Sequence, residues 1–166
     1  CMESLYRQTY RKLELLFLED GSTDNSMNML TCYALRYTDT DRVIRVLHHE
    51  RNRGVAAARN TALAHATGDY IYYVDADDSI ERYALECLAR EAGKEGLVIV
   101  GHEWYLTFSS NERYMEQADY STPMEALRNM MCGVMRWNLW LFLVKRSLYV
   151  ENDIRFTEGM NMGEDM

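Results

Sequence analysis

Tyr70-Ile-Tyr-Tyr-Val-Asp-Ala-Asp-Asp78 joins a short apolar run to three closely spaced carboxylates. The run from Ile71 to Val74 is rich in β-branched and aromatic residues, which predicts a buried strand. In open α/β sheets, ligands bind at the carboxyl ends of strands, and neighbouring carboxylates repel one another unless a cation or a donor joins them. An isolated match of this kind would more often be a solvated acidic turn. The simplest partner for the loop is a divalent metal that holds a phosphate, with three candidate carboxylates at Asp75, Asp77 and Asp78.

Strands and helices alternate on both sides of this stretch. Apolar segments predict further strands at 13–18, 43–47 and 97–100, and amphipathic or alanine-rich segments predict helices at 24–37, 55–66 and 80–92. Such alternation is typical of an α/β fold, with a mostly parallel sheet and helices on both faces. We expect the strands that end at Leu18, Leu47 and Val74 to lie parallel in one sheet. Asp20 and Asp77 would then face a shared cleft.

The last third of the chain departs from this alternation. A helix is predicted to start at Thr122, whose hydroxyl would cap it. Pro123 would lie in the first turn, and the Glu125 side chain would reach back towards the cap residue. The apolar positions that follow are expected to pack in the core: Met124, Leu127, Met130 and Met131. Residues 137–144 are predicted to form a buried strand, in which at least one of the two tryptophans serves packing rather than sugar binding.

Composition limits the classes of function. The chain has 166 residues, which suits one domain with a core, and its formal net charge of -8 argues against general binding to nucleic acid phosphates. No apolar run approaches the ~20 residues that cross a bilayer, so no transmembrane segment is expected. The four cysteines are scattered without a Cys-Xaa-Xaa-Cys pair, which predicts reduced thiols in a cytoplasmic protein and no zinc site.

Four motifs together resemble a known family. They occur in the order Glu19-Asp-Gly-Ser-Thr-Asp-Asn-Ser26, Asn52-Arg-Gly-Val-Ala-Ala-Ala-Arg-Asn60, Gly68-Asp-Tyr-Ile-Tyr-Tyr-Val-Asp-Ala-Asp-Asp78 and Gly163-Glu-Asp165. This order is similar to that of family 2 glycosyltransferases, and the resemblance covers nearly the whole chain. It implies a Rossmann-like GT-A fold and the transfer of a sugar from a nucleotide-diphosphate sugar, a UDP-sugar by preference.

The resemblance also implies roles on the donor side. Glu19 and Asp20 would read the nucleotide base, where a carboxylate can accept the imide N–H of uracil. Arg59 would lie near the nucleotide and bind base or phosphate oxygens. Asp75 would bind the ribose or a water, and the first ligands of Mn²⁺ or Mg²⁺ would be Asp77 and Asp78. His48, His49, Arg51 and Arg53 could also neutralise phosphate, but a solvated loop is the expectation for them.

On the acceptor side, the resemblance assigns the general base to Asp165, with Glu164 as the other carboxylate that could serve. The acceptor would be a glycan or a lipid-linked molecule, and the transfer would invert the anomeric carbon. Synthesis of bacterial surface polysaccharide is the pathway suggested by analogy. We expect a cytoplasmic location, with a peripheral position at the inner face of the membrane left open.

Two departures from the family pattern stand out. Glu19 occupies a position where Asp is usual, so the longer side chain could shift the base or relax its identity. The strand that normally precedes the first helix is absent, as is the region that normally follows Gly163-Glu-Asp165. The expectation is a single domain over residues 1–166 that is truncated at both ends, and the activity of this chain by itself is left open.

Two other classes of protein share part of the pattern. A haloacid-dehalogenase-like phosphatase also carries Asp-Xaa-Asp after a buried strand, and Asp75 would then be the nucleophile. That motif normally closes the first strand, whereas at least two strands precede it here. A non-catalytic metal or nucleotide module, such as a calcium loop, is the second alternative. Ile80 occupies the position at which a calcium loop needs glycine, which argues against this alternative.

Overall fold

The structure is a computed structural model that describes residues 1–39, 41–94 and 96–159. Helices and strands alternate through its first two thirds. The helices are α1 (Met2–Tyr6), α2 (Ser26–Tyr37), α3 (Val55–His65), α4 (Ala84–Ala92), α5 (Pro123–Met131) and α6 (Arg146–Glu151). The strands are β1 (Leu13–Glu19), β2 (Arg42–His48), β3 (Tyr70–Tyr72), β4 (Ile99–Gly101), β5 (Trp104–Thr107), β6 (Glu112–Met115) and β7 (Phe142–Lys145).

The strands β1 and β2 form a parallel pair, in register from Leu13 opposite Arg42 to Glu19 opposite His48. Leu15 of β1 and Ile44 of β2 are buried in one cluster with Tyr33 of α2. On α3, an alanine-rich helix, Ala56 and Ala57 are buried, so their small side chains allow close approach to the strands. As predicted, the two strands end at one edge, and each continues there into a polar loop.

A second sheet has the order β3-β7-β4, and β7 is antiparallel to both of its neighbours. Because β3 and β4 both oppose β7, they run in the same direction as each other. Near the start of β1, the Glu14 carboxylate accepts hydrogen bonds from the amides of Thr67 and Gly68, just before β3 begins. Val74, just past the end of β3, packs against the cluster that contains Leu15. β1 and β3 therefore run the same way, and β7 runs opposite to β1, β2, β3 and β4.

The three strands predicted to lie parallel in one sheet run in the same direction, but they belong to two separate hydrogen-bonded sheets. Within the described residues, β3 pairs with β7 rather than with a strand of the β1–β2 pair. The strand predicted to reach Val74 ends at Tyr72, and the helix predicted from Ile80 begins at Ala84. Local apolar spacing does not reveal a partner such as β7, which lies about seventy residues further along the chain.

A cavity of about 600 Å³ separates β1 from β3. Its two walls are residues 13–16 of β1 and residues 70–74 of β3 and its continuation, and most of the other lining side chains come from α3 and α4. The cavity is lined mainly by apolar side chains, among them Leu63 and Leu88. It lies between two strands that run in the same direction.

β5 and β6 pair as an antiparallel hairpin that the sequence did not predict. The buried strand predicted at 137–144 is confirmed in its second half as β7, and a short 3₁₀ turn at Leu139–Leu141 precedes it. The start of α5 matches the prediction, because the Thr122 hydroxyl accepts from the Glu125 amide at 3.2 Å. The expected apolar stripe of α5 is confirmed only in part: Met130 packs against the core, whereas Met124 and Met131 are 73% and 71% exposed. Trp140 packs edge-on against Trp104 with ring centroids 5.8 Å apart, which fits the packing role.

None of the described helices has the length and apolar composition needed to cross a bilayer.

Candidate functional site

Three loops gather at the carboxyl ends of β1, β2 and β3. The first begins at Asp20, the second runs from His49 to Gly54, and the third contains Asp75, Asp77 and Asp78. This is the edge of an α/β sheet at which ligands generally bind. The helix α3 follows the second loop and brings Arg59 towards the third.

Asp20 ties the first loop to the second. Its carboxylate lies 2.6 Å from His49 Nδ1 and accepts hydrogen bonds from the backbone amides of Arg53 at 3.0 Å and Gly54 at 2.8 Å. Burial raises the pKa of Asp20, but the hydrogen bonds from these three residues outweigh it and hold the pKa below its ordinary value. We call this group of Asp20, His49, Arg53 and Gly54 the clamp, because one carboxylate holds the residues that lead into α3.

His49 is the buried member of the clamp. Its ring is 7% exposed, and its Nε2 lies 2.9 Å from the hydroxyl of Thr61 on α3. The expectation of a solvated loop residue was therefore wrong for His49. The two polar neighbours, Asp20 and Thr61, stand 29 and 12 residues away in the chain, so no local pattern could indicate them.

Gly21 allows the first and second loops to pack closely. Its φ is +72°, and a Cβ at this position would lie 2.5 Å from the carbonyl carbon of Arg51 and from the amide nitrogen of Asn52. Both atoms belong to the backbone and cannot move aside as a flexible side chain would. The glycine is required by conformation and by contact.

Glu19 is held in the same region by other donors. Its carboxylate accepts a hydrogen bond from the Ser22 amide and lies 2.6 Å from His48 Nδ1. The hydrogen bonds from Ser22 lower the pKa of Glu19 to about 2, so the side chain is ionised at neutral pH. Both carboxylates proposed to read the base, Glu19 and Asp20, are thus already bonded to protein donors.

Arg59 and Asp75 connect α3 to the third loop. Arg59 is 8% exposed, and its Nη2 lies 3.7 Å from Asp75 Oδ1. The guanidinium also lies 5.9 Å from the centre of the Tyr73 ring and 5.7 Å from that of Phe156. Because cations are attracted to aromatic faces, this packing stabilises a buried charge beside the predicted nucleotide site.

Asp77 and Asp78 are exposed and differ from the clamp carboxylate in their surroundings. Burial and then the charge of Asp77 raise the pKa of Asp78, so the loop favours a proton or a cation. Among residues 1–39, 41–94 and 96–159, no three His, Cys, Asp or Glu side chains stand close enough together to hold a metal ion. The two carboxylates fit a cation whose remaining ligands are phosphate oxygens or waters.

The predicted acceptor-side carboxylates, Glu164 and Asp165, lie outside the described residues. The segment that leads towards them is described as far as Gly159. It is bound to α3 through Asn60, whose Nδ2 donates to the Phe156 carbonyl at 2.9 Å and whose Oδ1 accepts from the Phe156 amide at 2.9 Å. Sequence analysis gave Asn60 no role, because its partner is 96 residues away.

Comparisons with known proteins agree on one family. The profile described as "Glycosyl transferase family 2" matches residues 1–160. The chain is 32% identical to "Uncharacterized glycosyltransferase EpsJ" of Bacillus subtilis (strain 168), over 99% of this chain and 48% of the relative. It is 28% identical to "Glycosyltransferase GlyG" of Streptococcus pneumoniae serotype 4, over 99% of this chain and 57% of the relative. The chain spans about half the length of these curated relatives.

A solved structure gives the same picture of the fold. The crystal structure of S. aureus TarS 1-349 superposes with a TM-score of 0.74 at 22% identity, covering 99% of this chain and 47% of that one. At this identity the likeness shows that the fold is shared. Taken together, the comparisons lend no support to the phosphatase or to the calcium loop.

Proposed function

The chain belongs to glycosyl transferase family 2, and from this premise we propose that the whole protein transfers a sugar from a UDP-sugar to an acceptor hydroxyl with inversion. The acceptor in this proposal is a glycan or a lipid-linked molecule of bacterial surface polysaccharide synthesis. The proposal includes a cytoplasmic site of action, with attachment to the inner face of the membrane as an open alternative.

One observation carries the proposal. The buried Arg59 pairs with Asp75 at 3.7 Å beside a loop in which Asp77 and Asp78 repel each other. A guanidinium binds phosphate oxygens, and paired carboxylates bind a divalent cation. The site therefore offers both of the charges that a nucleoside diphosphate and its metal require, at the sheet edge where ligands bind.

Asp77 and Asp78 would hold Mn²⁺ or Mg²⁺ in this proposal. When bound, the ion would stabilise charge on the departing nucleoside diphosphate. Asp75 would bind the ribose, with Arg59 fixing its carboxylate. Asp20 and Glu19 would shape the base pocket as part of the folded loops, since their carboxylates are already engaged by backbone amides and histidine rings.

The transfer itself needs a base on the acceptor side. Asp165 would take the proton of the acceptor hydroxyl while its oxygen attacks the anomeric carbon from the face opposite the leaving group. The bond between that carbon and the diphosphate oxygen breaks as the new glycosidic bond forms, so the configuration inverts. Glu164 is the neighbouring carboxylate and the natural comparison.

Asp165→Asn in the whole protein tests this assignment. The amide keeps the shape of the carboxylate but cannot take a proton, so turnover should fall by ~10²–10⁴-fold while affinity for UDP stays close to wild type. Transfer rates and calorimetry on the same preparations measure the two effects. Glu164→Gln is the comparison, and Asp153→Asn, at an exposed carboxylate that lies 3.1 Å from Arg155 Nη2, is the matched control. Near-normal turnover in Asp165→Asn would show that the base lies elsewhere.

A further inference from the structure

Asn60 makes a reciprocal contact that the proposed chemistry does not use. Its side-chain amide donates to the carbonyl and accepts from the amide of the same residue, Phe156, both at 2.9 Å. The pairing satisfies the two backbone groups of Phe156 as a neighbouring strand would, although Phe156 lies outside the described helices and strands. Among side chains, only Asn and Gln carry one amide donor group and one carbonyl acceptor in a single planar unit.

The ring of Phe156 reinforces the same contact. It packs edge-on against Tyr73 with ring centroids 5.7 Å apart and an interplanar angle of 84°, and the Arg59 guanidinium lies 5.7 Å from its centre. Tyr73 and Arg59 are also the residues that adjoin Asp75. Phe156 is thus held by its backbone through Asn60 and by its side chain against the donor-side residues.

Glu158 extends the attachment by weaker contacts. Its carboxylate lies 3.3 Å from Arg53 Nη2 and 3.4 Å from Asn60 Nδ2. Both pairs are exposed, so each is expected to contribute little by itself. They show that the segment follows the surface of α3 and its preceding loop rather than touching it at one point.

We propose that Asn60 is a positioning residue that couples the donor-side helix α3 to the acceptor-side segment 156–159. This inference rests on the proposed function, in which Gly163-Glu-Asp165 follows that segment and supplies the base. The Asn60–Phe156 pair fixes the backbone of Phe156 relative to Arg59 and Asp75, nine residues before the base in the chain. A displacement of the base by about 1 Å would cost on the order of 10²-fold in turnover.

The experiment compares Asn60→Ala and Asn60→Asp in the whole protein. Asn60→Ala removes both hydrogen bonds, so the Phe156 amide should exchange its hydrogen at least about tenfold faster. Asn60→Asp keeps the acceptor for that amide and loses the donor to its carbonyl, so exchange should lie between Asn60→Ala and wild type. In Asn60→Ala, kcat should fall by about 10–100-fold, with UDP affinity within about twofold of wild type.

Asn152→Ala is the matched control. Asn152 also donates its Nδ2 to a backbone carbonyl at 2.9 Å, but the acceptor is Leu148 within the same helical turn. Exchange at Phe156 and turnover should both remain at wild-type values in this variant.

Two kinds of failure are distinguishable. A whole protein that neither binds UDP nor transfers a sugar would overturn the proposed function, and with it the acceptor-side role of Asn60. An active wild type in which Asn60→Ala leaves Phe156 exchange or kcat unchanged would overturn this inference alone. Equal losses of kcat and UDP affinity would also overturn it, since they would mean that Asn60 supports α3 as a whole.

Discussion

Asp20 and Asp77 are both acidic residues in loops at the carboxyl ends of strands, β1 and β3, but their surroundings are opposite. Asp20 receives two backbone amides and a histidine ring, and its pKa is held below the ordinary value. Asp77 stands exposed beside Asp78, whose pKa is raised by burial and by the charge of Asp77. The protein itself supplies the donors in the clamp, whereas the neighbouring charges of Asp77 and Asp78 favour an added cation. A carboxylate of the first kind serves the fold, and one of the second kind is suited to a ligand.

The close packing of the clamp predicts the largest effect. Gly21→Ala should lower the free energy of unfolding by about 3 kcal/mol, because a left-handed backbone is costly for alanine and the new Cβ would meet the backbone of Arg51. Gly133→Ala is the control: its φ is +70° with nothing within 4 Å, so only the conformational cost of about 1 kcal/mol applies. Urea unfolding of both variants checks the difference, and equal losses would mean that the two loops do not pack as described.

The next effect separates the two carboxylates directly. Asp20→Ala should lower the free energy of unfolding by about 2 kcal/mol, because the His49 ring and the amides of Arg53 and Gly54 lose their acceptor. Asp77→Ala removes an exposed side chain and should change the free energy of unfolding by less than about 0.5 kcal/mol. Chemical denaturation of the two variants in the absence of nucleotide and metal measures this contrast. A larger loss of stability in Asp77→Ala than in Asp20→Ala would contradict the conclusion that Asp20, and not Asp77, stabilises the fold.

The pH dependence of stability should have opposite signs in the two regions. Asp20 and Glu19 have pKa values below their ordinary values of 3.8 and 4.5. Their ionised carboxylates therefore stabilise the fold fully above those ordinary values, and this stabilisation is lost as pH falls through the lowered pKa, which is about 2 for Glu19. Asp78 has a raised pKa, so its unfavourable contribution at neutral pH is relieved as pH falls through that pKa towards 3.8.

The free energy of unfolding of wild type, Glu19→Gln and Asp78→Asn, measured from neutral pH down to about 2, tests both signs. Glu19→Gln should flatten the loss of stability between pH 4.5 and about 2. Asp78→Asn should remove the gain in stability that accompanies the fall of pH towards 3.8. If stability changed with pH in the same way in all three proteins, the pH dependence could not be assigned to Glu19 and Asp78.

Much of the fold follows from local pattern, and the comparison of the two loops shows where local pattern stops. The predicted elements around β1, α2, β2 and α3 agree with the structure to within two residues, because each has its own apolar spacing and its own turn. The antiparallel pairing of β3 with β7 and the exposed face of α5 depend on what packs beside them. That information is spread along the chain rather than contained in either segment.

The candidate site divides in the same way. The carboxylates Asp20, Asp75, Asp77 and Asp78 could be picked out because short acidic motifs are visible in sequence. The sequence does not show whether a carboxylate is already bonded to protein donors, because His49 and Arg53 are about thirty residues from Asp20. His49 and Asn60 were missed for the same reason, since each acts through a partner far along the chain.

The most direct test of this account is calorimetric binding of UDP to the whole protein, with and without Mn²⁺. We predict that Mn²⁺ strengthens UDP binding in the wild type and that Asp77→Asn removes most of that gain, because under the proposed function Asp77 is one of the two carboxylates that would hold the ion. Asp153→Asn, at an exposed carboxylate that pairs with Arg155, should behave as wild type. Identical UDP affinity with and without Mn²⁺ in the wild type would contradict the account.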